Sequence, residues 1–405
     1  MSIKPMVRSN ICLNSHPQGC RQAVLNQIAY TKEQKAKTAK INGKHRPIKN
    51  VLVLGCSTGY GLASRISAAF AYDAATIGVS FEKAGTETKF GTPGWYNNMA
   101  FDAEAHNAGL FSHTINGDAY SDEIKAEVIA SAQQHNIKFD LVIYSLASPV
   151  RTDPVTKVMY KSVIKPIGAD FSGKTFDTMT GEMKEITAPA ATQDEIEQTI
   201  KVMGGEDWIR WIDQLSDADV LAQGCMTVAY SYIGPEVSQA IYRRGTIGMA
   251  KADLEKTAGI LREKLSGLGG KAFVSVNKGL VTRASAVIPI IPLYLSVLFK
   301  VMKQKGTHEG CIEQINRLFA ERLYLKNDNG TAAIPVDEEG RIRIDDLEMD
   351  PTVQAEVSKI MPQVTAENIS TLGDLEGYKH DFLATNGFDI PGVDYEKDVE
   401  RFDRF

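Results

Sequence analysis

A glycine-rich stretch near residue 55 holds the residues best suited to chemistry in this 405-residue chain. Four apolar residues, 51–54, predict a buried parallel strand, and an apolar-patterned run over 62–71 predicts a helix. Gly55, Gly59 and Gly61 occupy the turn between them. Glycines let a backbone approach a pyrophosphate, and a helix N-terminus offers free N–H groups and a partial positive charge. The stretch therefore predicts a phosphate cradle for a dinucleotide.

An acidic residue follows the next predicted strand. Residues 76–82 are mostly apolar and end in Phe81 and Glu82, roughly 20 residues beyond the cradle, where dinucleotide-binding sheets place a ribose-binding carboxylate. Such a carboxylate accepts hydrogen bonds from the ribose 2′-hydroxyl of NADH and repels the 2′-phosphate of NADPH. Lys83 lies beside it and softens that preference. The alternative is a solvated acid at a strand end, with no ligand.

Two tyrosines and a lysine form the second candidate group. Tyr232 and Tyr242 accompany a strand predicted over 226–233. Lys251 lies in the helix predicted over 246–266. The positive charge of a lysine favours the phenolate and lowers the pKa of a nearby tyrosine. Such a tyrosine can donate a hydrogen bond or a proton to an oxygen that becomes negative during hydride transfer. The alternative is coincidence, because tyrosines are common.

The spacing of this pair constrains its geometry. Tyr242 and Lys251 are nine positions apart, which is about two and a half turns of an ideal helix and would place them on opposite faces. We therefore predict that Tyr242 precedes the regular helix. Gly245 and Gly248 then loosen the backbone between the two side chains.

The elements that must position these residues alternate between strand and helix. Such alternation predicts an α/β fold, a Rossmann-type doubly wound parallel sheet with helices on both faces. Ligands in such sheets bind at the carboxyl ends of the strands, where we place Asp118, Ala119, Leu146 and Ala147. The remaining strands are predicted over 111–115, 139–144 and 273–276, and the remaining helices over 97–108 and 121–135.

The alternation of strand and helix covers only part of the chain, which divides into three predicted regions. We predict an N-terminal arm with a short strand or hairpin, a dinucleotide-binding and catalytic domain with an insertion before the catalytic strand, and a C-terminal extension packed on the same domain. These regions are 1–47, 48–325 with its insertion at 151–224, and 326–405. Smaller predicted features are a hairpin over 176–187, a helix from Thr192 to Met203, a hairpin arm at 341–344 and a helix over 351–362.

Composition excludes several classes of protein. A net charge of −5 carries no nucleic-acid signature. The most apolar segment, 284–299, is too short and contains two prolines, which argues against membrane insertion and for a core helix or an apolar substrate pocket. Five scattered cysteines and no visible secretory signal favour free thiols in a cytoplasmic protein. The histidine spacing predicts no metal site.

Several motifs together resemble the FabV-type trans-2-enoyl-thioester reductases, within the short-chain dehydrogenase/reductase superfamily. The Tyr-x8-Lys spacing is close to diagnostic, and the likeness covers essentially the whole chain. Ketoreductases of the superfamily carry a serine about 13 residues before the tyrosine, and Ala229 stands there. The matching motifs lie at 55–63, 81–83, 117–119, 144–147, 229–235, 242–251, 288–294 and 308–313.

The resemblance implies NADH-dependent reduction of the 2,3 double bond of an enoyl-thioester, the last step of a fatty-acid elongation round. It implies that Tyr242 is the proton donor or oxyanion stabiliser, that Tyr232 binds the substrate and that Lys251 holds the cofactor. The segment 284–299 would shape the acyl pocket. The implied NADH contacts are Gly55, Cys56, Ser57, Thr58, Gly59, Tyr60, Phe81, Glu82, Asp118, Ala119, Leu146, Ala147, Lys251, Leu280, Val281 and Thr282.

Other functions and partners stay open at this point. A carbonyl or alcohol oxidoreductase on the same fold is the first alternative, although Ala229 lacks the hydroxyl that would polarise a ketone. A non-catalytic NADH-sensing protein is the second. The acyl carrier is acyl carrier protein or coenzyme A. We expect a monomer, because the insertion and the terminal arms would cover the faces that related reductases use to form tetramers.

Overall fold

The N-terminal arm combines a small hairpin with a long helix. The hairpin is predicted, but the helix is not. This helix packs on the two helices that follow it along the chain. The arm consists of β1 (Val7–Arg8), β2 (Ile11–Cys12) and α1 (Pro17–Asn42). The computed structural model describes residues 3–8, 10–42, 48–282, 285, 288, 290–325 and 333–399, with the side chains of 38–42 left out.

The first half of the central sheet follows the predicted alternation. Each strand is parallel to its neighbour in this half. The strand predicted over 76–82 ends at Ser80, so Phe81 and Glu82 lie in the loop beyond it. The elements are β3 (Asn50–Leu54), α2 (Gly59–Tyr72), β4 (Ala75–Ser80), α3 (Pro93–Asn107), β5 (Ser112–Asn116), α4 (Asp122–Gln134) and β6 (Phe139–Tyr144).

The insertion contains two antiparallel hairpins and two helices. The predicted capping box is present, since the Thr192 side chain accepts from the N–H of Glu195 and the Glu195 side chain accepts from the N–H of Thr192. The hairpin predicted over 176–187 is confirmed, although its first strand begins earlier. The elements are β7 (Val150–Thr152), β8 (Met159–Lys161), β9 (Phe171–Phe176), β10 (Met183–Ala188), α5 (Gln193–Met203) and α6 (Glu206–Asp217).

The second half of the sheet carries the tyrosines and the lysine. Its first strand begins before residue 226, and its register shifts between Leu221 and Met226. Gly224 in this interval has φ +76°, a conformation that glycine adopts without strain. The elements are β11 (Leu221–Ser231), α7 (Glu236–Gln239), α8 (Thr246–Lys264), β12 (Lys271–Val276), α9 (Ile291–Lys305) and α10 (Cys311–Leu318).

The C-terminal segment completes the sheet and then covers α9. The prediction of a hairpin arm at 341–344 is wrong, because residues 342–343 pair in parallel with β12 as the edge strand. A two-residue edge strand carries too few residues for its partner to be read from sequence. The elements are β13 (Ile342–Arg343), α11 (Pro351–Ile360), α12 (Ile369–Leu372) and α13 (Leu375–Ala384), of which α11 and α13 pack on α9.

The central sheet confirms the predicted doubly wound fold. Its seven parallel strands run in the order β13-β12-β11-β6-β3-β4-β5. Strand order reverses between β3 and β6, so the loops that follow these two strands run in opposite directions. They leave a crevice at the carboxyl ends of the strands, where such sheets bind ligands. Alternate residues of β3 enter different cores, with Val51 and Val53 in one and Leu52 and Leu54 in the other. Within the described residues, no helix is long and apolar enough to cross a membrane.

Candidate active site

The predicted phosphate cradle lies at the point where strand order reverses. Gly55 has φ +86°, and a Cβ there would lie 2.2 Å from the carbonyl oxygen of Ser145, just beyond β6. A Cβ at Gly61 would lie 1.9 Å from the carbonyl oxygen of Gly55. Only glycine fits at either position. Thr58 precedes α2, and its side chain makes no capping hydrogen bond, so the first N–H groups of α2 stay available for an anion.

A cavity opens in front of the cradle, where the pyrophosphate of a dinucleotide is predicted to bind. Thr58 and Gly59 form one wall, and Asn97 forms another. The Asn97 amide is fixed because it donates a 2.9 Å hydrogen bond to the carbonyl oxygen of Ser57. Val281 and Thr282 close the cavity from the side of β12, as the sequence predicts for residues that cover the cofactor. The C-terminal helix also contributes lining residues, namely Ala384 and Thr385.

The acid at the end of β4 points back to the cradle. The hydroxyl of Ser57 donates a 2.6 Å hydrogen bond to Oε1 of Glu82. The side chain of Asn116 fixes the Glu82 backbone, accepting from its N–H at 2.8 Å and donating to its carbonyl oxygen at 2.9 Å. Phe81 beside it is 78% exposed, which is unusual for a large apolar side chain. The arrangement places the Glu82 carboxylate against Ser57 of the cradle and leaves the Phe81 ring exposed.

The loop after β5 is fixed by the buried ion pair between Lys125 and Asp207. Lys125 donates to the carbonyl oxygens of Ala119 and Tyr120 at 2.9 and 3.0 Å, and to Asp207 of the insertion at 2.8 Å. Asp118 accepts from the N–H of Tyr120 at 2.9 Å. This loop lies at the same sheet edge as the cradle, as predicted. The other residues predicted there, Leu146 and Ala147, follow β6 and are half-buried and exposed respectively.

The predicted placement of Tyr242 ahead of the helix is confirmed. Helix α8 begins at Thr246 with Gly245 as its N-cap, and Tyr242 lies in the turn before it. The N–H groups of Gly245 and Gly248 both donate to the carbonyl oxygen of Tyr242, at 3.1 and 3.0 Å. A Cβ at Gly248 would lie 1.8 Å from the carbonyl oxygen of Arg243. The two glycines therefore allow the tight turn that places Tyr242 ahead of α8.

The two predicted tyrosines meet beyond the end of β11. Their rings pack edge to face, with centroids 5.1 Å apart for Tyr232 and Tyr242. Both side chains are deeply placed, and burial raises the pKa of each phenol. The hydroxyl of Tyr232 donates to Glu348 at 3.1 Å. The hydroxyl of Tyr242 has no hydrogen-bond partner among the residues that the structure describes, so it is free to donate to a ligand.

Lys251 lies at the same strand end with its ammonium group aimed at the backbone. Its Nζ donates to the carbonyl oxygen of Tyr230 at 3.1 Å. Burial lowers the pKa of Lys251 to about 8, and Glu255 opposes that shift. The expectation that Lys251 lowers the pKa of Tyr242 is wrong in this structure, because the desolvation of the buried phenolate dominates and raises it. Tyr242 is therefore a neutral phenol and a hydrogen-bond donor at physiological pH.

The segment after β12 closes the site over the predicted nicotinamide end. Leu280 and Val281 are buried, and the Tyr60 hydroxyl donates to the carbonyl oxygen of Lys278 at 2.7 Å. The apolar segment 284–299 continues into α9, whose residues form a third core together with Tyr242. Residues 284, 286, 287 and 289 of that segment lie outside the described residues.

Sequence reasoning missed one carboxylate of this site. Glu348 comes from the loop between β13 and α11, and none of its side chain is exposed. It stands in an acidic, turn-rich stretch, where nothing in the sequence distinguishes a buried carboxylate from solvated ones. In the described part of the chain, no group of three or more histidine, cysteine or acidic side chains is arranged to hold a metal ion.

Comparisons with known proteins match the whole chain. Residues 2–87 match a family described as the NAD(P)H binding domain of trans-2-enoyl-CoA reductase, and residues 89–324 match the trans-2-enoyl-CoA reductase catalytic region. A trans-2-enoyl-CoA reductase [NADH] of Treponema denticola is 65% identical over 100% of both chains. An enoyl-[acyl-carrier-protein] reductase [NADH] of Flavobacterium johnsoniae is 55% identical over 98% of both.

Solved structures agree with these matches. The crystal structure of the Treponema denticola trans-2-enoyl-CoA reductase in complex with NAD has a TM-score of 0.96, at 64% identity over 100% of both chains. The Clostridium acetobutulicum trans-2-enoyl-CoA reductase in complex with NADH has a TM-score of 0.93, at 46% identity, and covers 99% of this chain and 98% of that one.

Residues 336–399 match a family described as the enoyl reductase FAD binding domain. Throughout this fully described range, no glycine-rich turn joins a parallel strand to a helix as at residues 54–61. The N-terminus of α11 is occupied by Asp350, whose carboxylate accepts from the N–H groups of Thr352 and Val353. The segment therefore does not fit the phosphates of a flavin dinucleotide. The matches to residues 2–87 and 89–324 and the relatives at 65% and 55% identity show that the chain belongs to the trans-2-enoyl-CoA reductase family.

Proposed function

We propose that this protein reduces the trans-2,3 double bond of enoyl-thioesters to the saturated acyl-thioester, with NADH, in the final step of a fatty-acid elongation round. Bound NADH supplies the hydride for the β-carbon. Negative charge then develops on the thioester oxygen. A hydrogen-bond donor at that oxygen stabilises the enolate and lowers the barrier.

The observation that carries the proposal is the free phenol of Tyr242 beside Tyr232. Tyr242 is buried, neutral and without a hydrogen-bond partner among the described residues, so it can donate to the developing oxyanion. Tyr232 packs against its ring at 5.1 Å and would contact the thioester. Lys251 has N–H groups beyond the one given to Tyr230, and these would bind the ribose of the cofactor.

The cofactor contacts proposed from the sequence agree with this arrangement. Thr58 and Gly59 would bind the pyrophosphate at the start of α2, and Glu82 would accept from the ribose hydroxyl. Ketone reduction is disfavoured because Ala229, at the position of the ketoreductase serine, is a fully buried apolar residue of β11.

The experiment follows the absorbance of NADH after addition of crotonyl-CoA. We expect oxidation of one NADH per crotonyl-CoA and formation of butyryl-CoA. Parallel assays replace crotonyl-CoA by acetoacetyl-CoA, and NADH by NADPH. Turnover of acetoacetyl-CoA alone would instead establish the carbonyl reductase. No turnover of either thioester by an NADH-binding protein would establish the sensor.

Coenzyme preference is expected to depend on Glu82. Glu82→Ala removes the carboxylate that favours a ribose hydroxyl and repels a 2′-phosphate. We expect the ratio of kcat/KM with NADH to that with NADPH to fall about tenfold, the effect of losing one charge-assisted hydrogen bond. The measurement is the pair of coenzyme titrations at saturating crotonyl-CoA.

Two glycine variants sharpen this test. A Cβ at Gly94 would lie 2.2 Å from Oε1 of Glu82, so Gly94→Ala displaces the carboxylate without deleting it and should reduce the same ratio. Gly259→Ala is the matched control, because in α8 its Cβ would meet only Arg262 at 3.8 Å. A ratio that stays at the wild-type value in Glu82→Ala would leave Glu82 without a role in coenzyme choice.

The proposal also covers the acyl carrier of the substrate, the oligomeric state of the protein and its cellular compartment. Relatives named for CoA thioesters and for acyl-carrier-protein thioesters both align along the chain, and we propose that either thioester is accepted. We infer a monomer, supported by the packing of α1 on α2 and α3 and of the C-terminal helices on α9. We infer a cytoplasmic location, supported by Cys56, Cys225 and Cys311, which are free thiols.

A further inference from the structure

Glu348 receives three hydrogen bonds at a completely buried position. Oε1 accepts from the hydroxyl of Tyr294 at 2.6 Å and from the hydroxyl of Tyr232 at 3.1 Å. Oε2 accepts from the N–H of Gly279 at 2.7 Å. All three partners donate, so the side chain at position 348 must accept all three hydrogen bonds. A carboxylate can do so, because both of its oxygens are acceptors.

These contacts join four separate parts of the fold. Glu348 lies between β13 and α11, Tyr232 lies just after β11, Tyr294 lies in α9, and Gly279 follows β12. The residues that follow Gly279 are Leu280, which is buried, and Val281 and Thr282, which line the cavity in front of the cradle. One carboxylate thus ties the substrate tyrosine and the cofactor-covering segment to the C-terminal region.

A buried cation balances the charge. Lys278 is 2% exposed, donates to the carbonyl oxygen of Gly279 at 3.1 Å and lies 4.7 Å from the ring centroid of Phe299. Burial raises the pKa of Glu348, and the charge of Lys278 and the hydrogen bond from Tyr294 act against that rise. A buried carboxylate of this kind contributes less to stability than well-packed apolar residues would, so its contacts point to a different role.

The contacts also assign the direction of the Tyr232 hydrogen bond. Because its hydroxyl proton is given to Glu348, the Tyr232 oxygen presents lone pairs to its other neighbours. Tyr242, whose ring packs against it, remains the free donor. The carboxylate therefore fixes the hydrogen-bonding state of Tyr232, and Tyr242 differs from it in having no such acceptor among the described residues.

We propose that Glu348 is a positioning residue of the enoyl-thioester site, holding the Tyr232 phenol in the geometry that binds the acyl-thioester. The inference deepens the proposed function and rests on it. Glu348 acts through Tyr232, and it is not itself a catalytic residue.

A double-mutant cycle tests this coupling. Glu348→Gln, Tyr232→Phe and the double variant are compared with wild type in the full-length, NAD-loaded protein, and the dissociation constant of butyryl-CoA is measured by calorimetry. We expect Glu348→Gln to raise the dissociation constant about tenfold in the wild-type background and less than twofold in the Tyr232→Phe background. Equal factors in both backgrounds, or a factor below two in the first, would overturn the proposal.

Two further variants separate positioning from stability. Asp345→Asn removes another buried carboxylate three residues away that pairs with Arg343, and it should leave the dissociation constant within twofold even where the melting temperature falls. If Glu348→Gln fails to fold, Tyr294→Phe takes its place, with an expected threefold rise that also vanishes in the Tyr232→Phe background. A threefold rise that persists there contradicts the coupling.

The same binding measurement separates the two proposals. If wild type binds butyryl-CoA but does not oxidise NADH with crotonyl-CoA, the reductase proposal fails while the cycle still decides the role of Glu348. If wild type neither binds butyryl-CoA nor oxidises NADH with crotonyl-CoA, both fail. If wild type reduces crotonyl-CoA and the cycle is additive, only the role of Glu348 is wrong.

Discussion

Tyr242→Phe is expected to lower kcat for crotonyl-CoA by about 100-fold or more, the usual effect of losing a positioned proton donor. The variant removes a single hydroxyl that has no hydrogen-bond partner among the described residues and keeps the ring packed on Tyr232. Binding of NADH and the melting temperature should therefore change little. Stopped-flow absorbance at saturating NADH and crotonyl-CoA measures the effect directly.

Tyr72→Phe is the matched control for this variant. Tyr72 is the last residue of α2, at the end of the helix away from the cradle, and its ring packs on Phe319 and Tyr324. We expect the kcat of Tyr72→Phe to stay within twofold of wild type. A kcat within threefold of wild type for Tyr242→Phe would remove this phenol from the reaction, whatever the control shows.

The second large effect is a loss of activity above pH 8. Burial lowers the pKa of Lys251 to about 8, so the side chain is a cation below that pH and neutral above it. Because the ammonium form donates to the ribose hydroxyls more strongly than the neutral amine, and because only the ammonium form attracts the developing negative charge, kcat/KM for crotonyl-CoA should fall as pH rises, approaching tenfold per pH unit. The profile is measured from pH 6 to 9.5 with saturating NADH.

Two lysine variants identify the group whose loss of a proton causes the fall in kcat/KM above pH 8, which is the alkaline limb of the profile. Lys251→Met should reduce kcat/KM about 100-fold at pH 7 and abolish the alkaline limb. Burial also lowers the pKa of Lys278 to about 8, so this second lysine must be tested. Lys278→Met should keep the limb where wild type has it. A limb that survives in Lys251→Met and disappears in Lys278→Met would assign the titration to Lys278.

The central sheet could be predicted from sequence because its signals are local. The predicted strands β3, β4 and β5 are each followed by a polar or glycine-rich turn and a helical repeat, which is enough to place their carboxyl ends at one edge. The glycines around Gly55 and Gly248 mark close backbone approaches. The geometry of Tyr242 followed from the helical period alone, since nine positions do not bring two residues to one helix face.

What sequence could not supply depends on contacts between distant segments. Helix α1 has no clear apolar stripe, because it is polar over most of its length, and its charged second half hides the helix from a periodicity argument. Strand β13 has two residues, and its partner residues in β12 lie 67 positions earlier in the sequence. Glu348 is 116 positions from Tyr232, so no local pattern connects them.

The shift in the Tyr242 pKa shows the same limit. A lysine nearby in sequence suggests a lowered phenol pKa, but the sign depends on how completely the phenol is buried and on where the ammonium points. In the folded chain Lys251 donates to the backbone of Tyr230, and desolvation of the phenol decides the direction. Both facts belong to the tertiary structure.

The most direct measurement follows an isotope through the reaction. NADH carrying deuterium at both C4 positions is oxidised with crotonyl-CoA, and the acyl product is analysed by NMR and mass spectrometry. The account predicts one deuterium on C3 of butyryl-CoA, and a second on C2 when the solvent is D₂O. Deuterium on a carbinol carbon, or an acyl chain that acquires none from the cofactor, would contradict it.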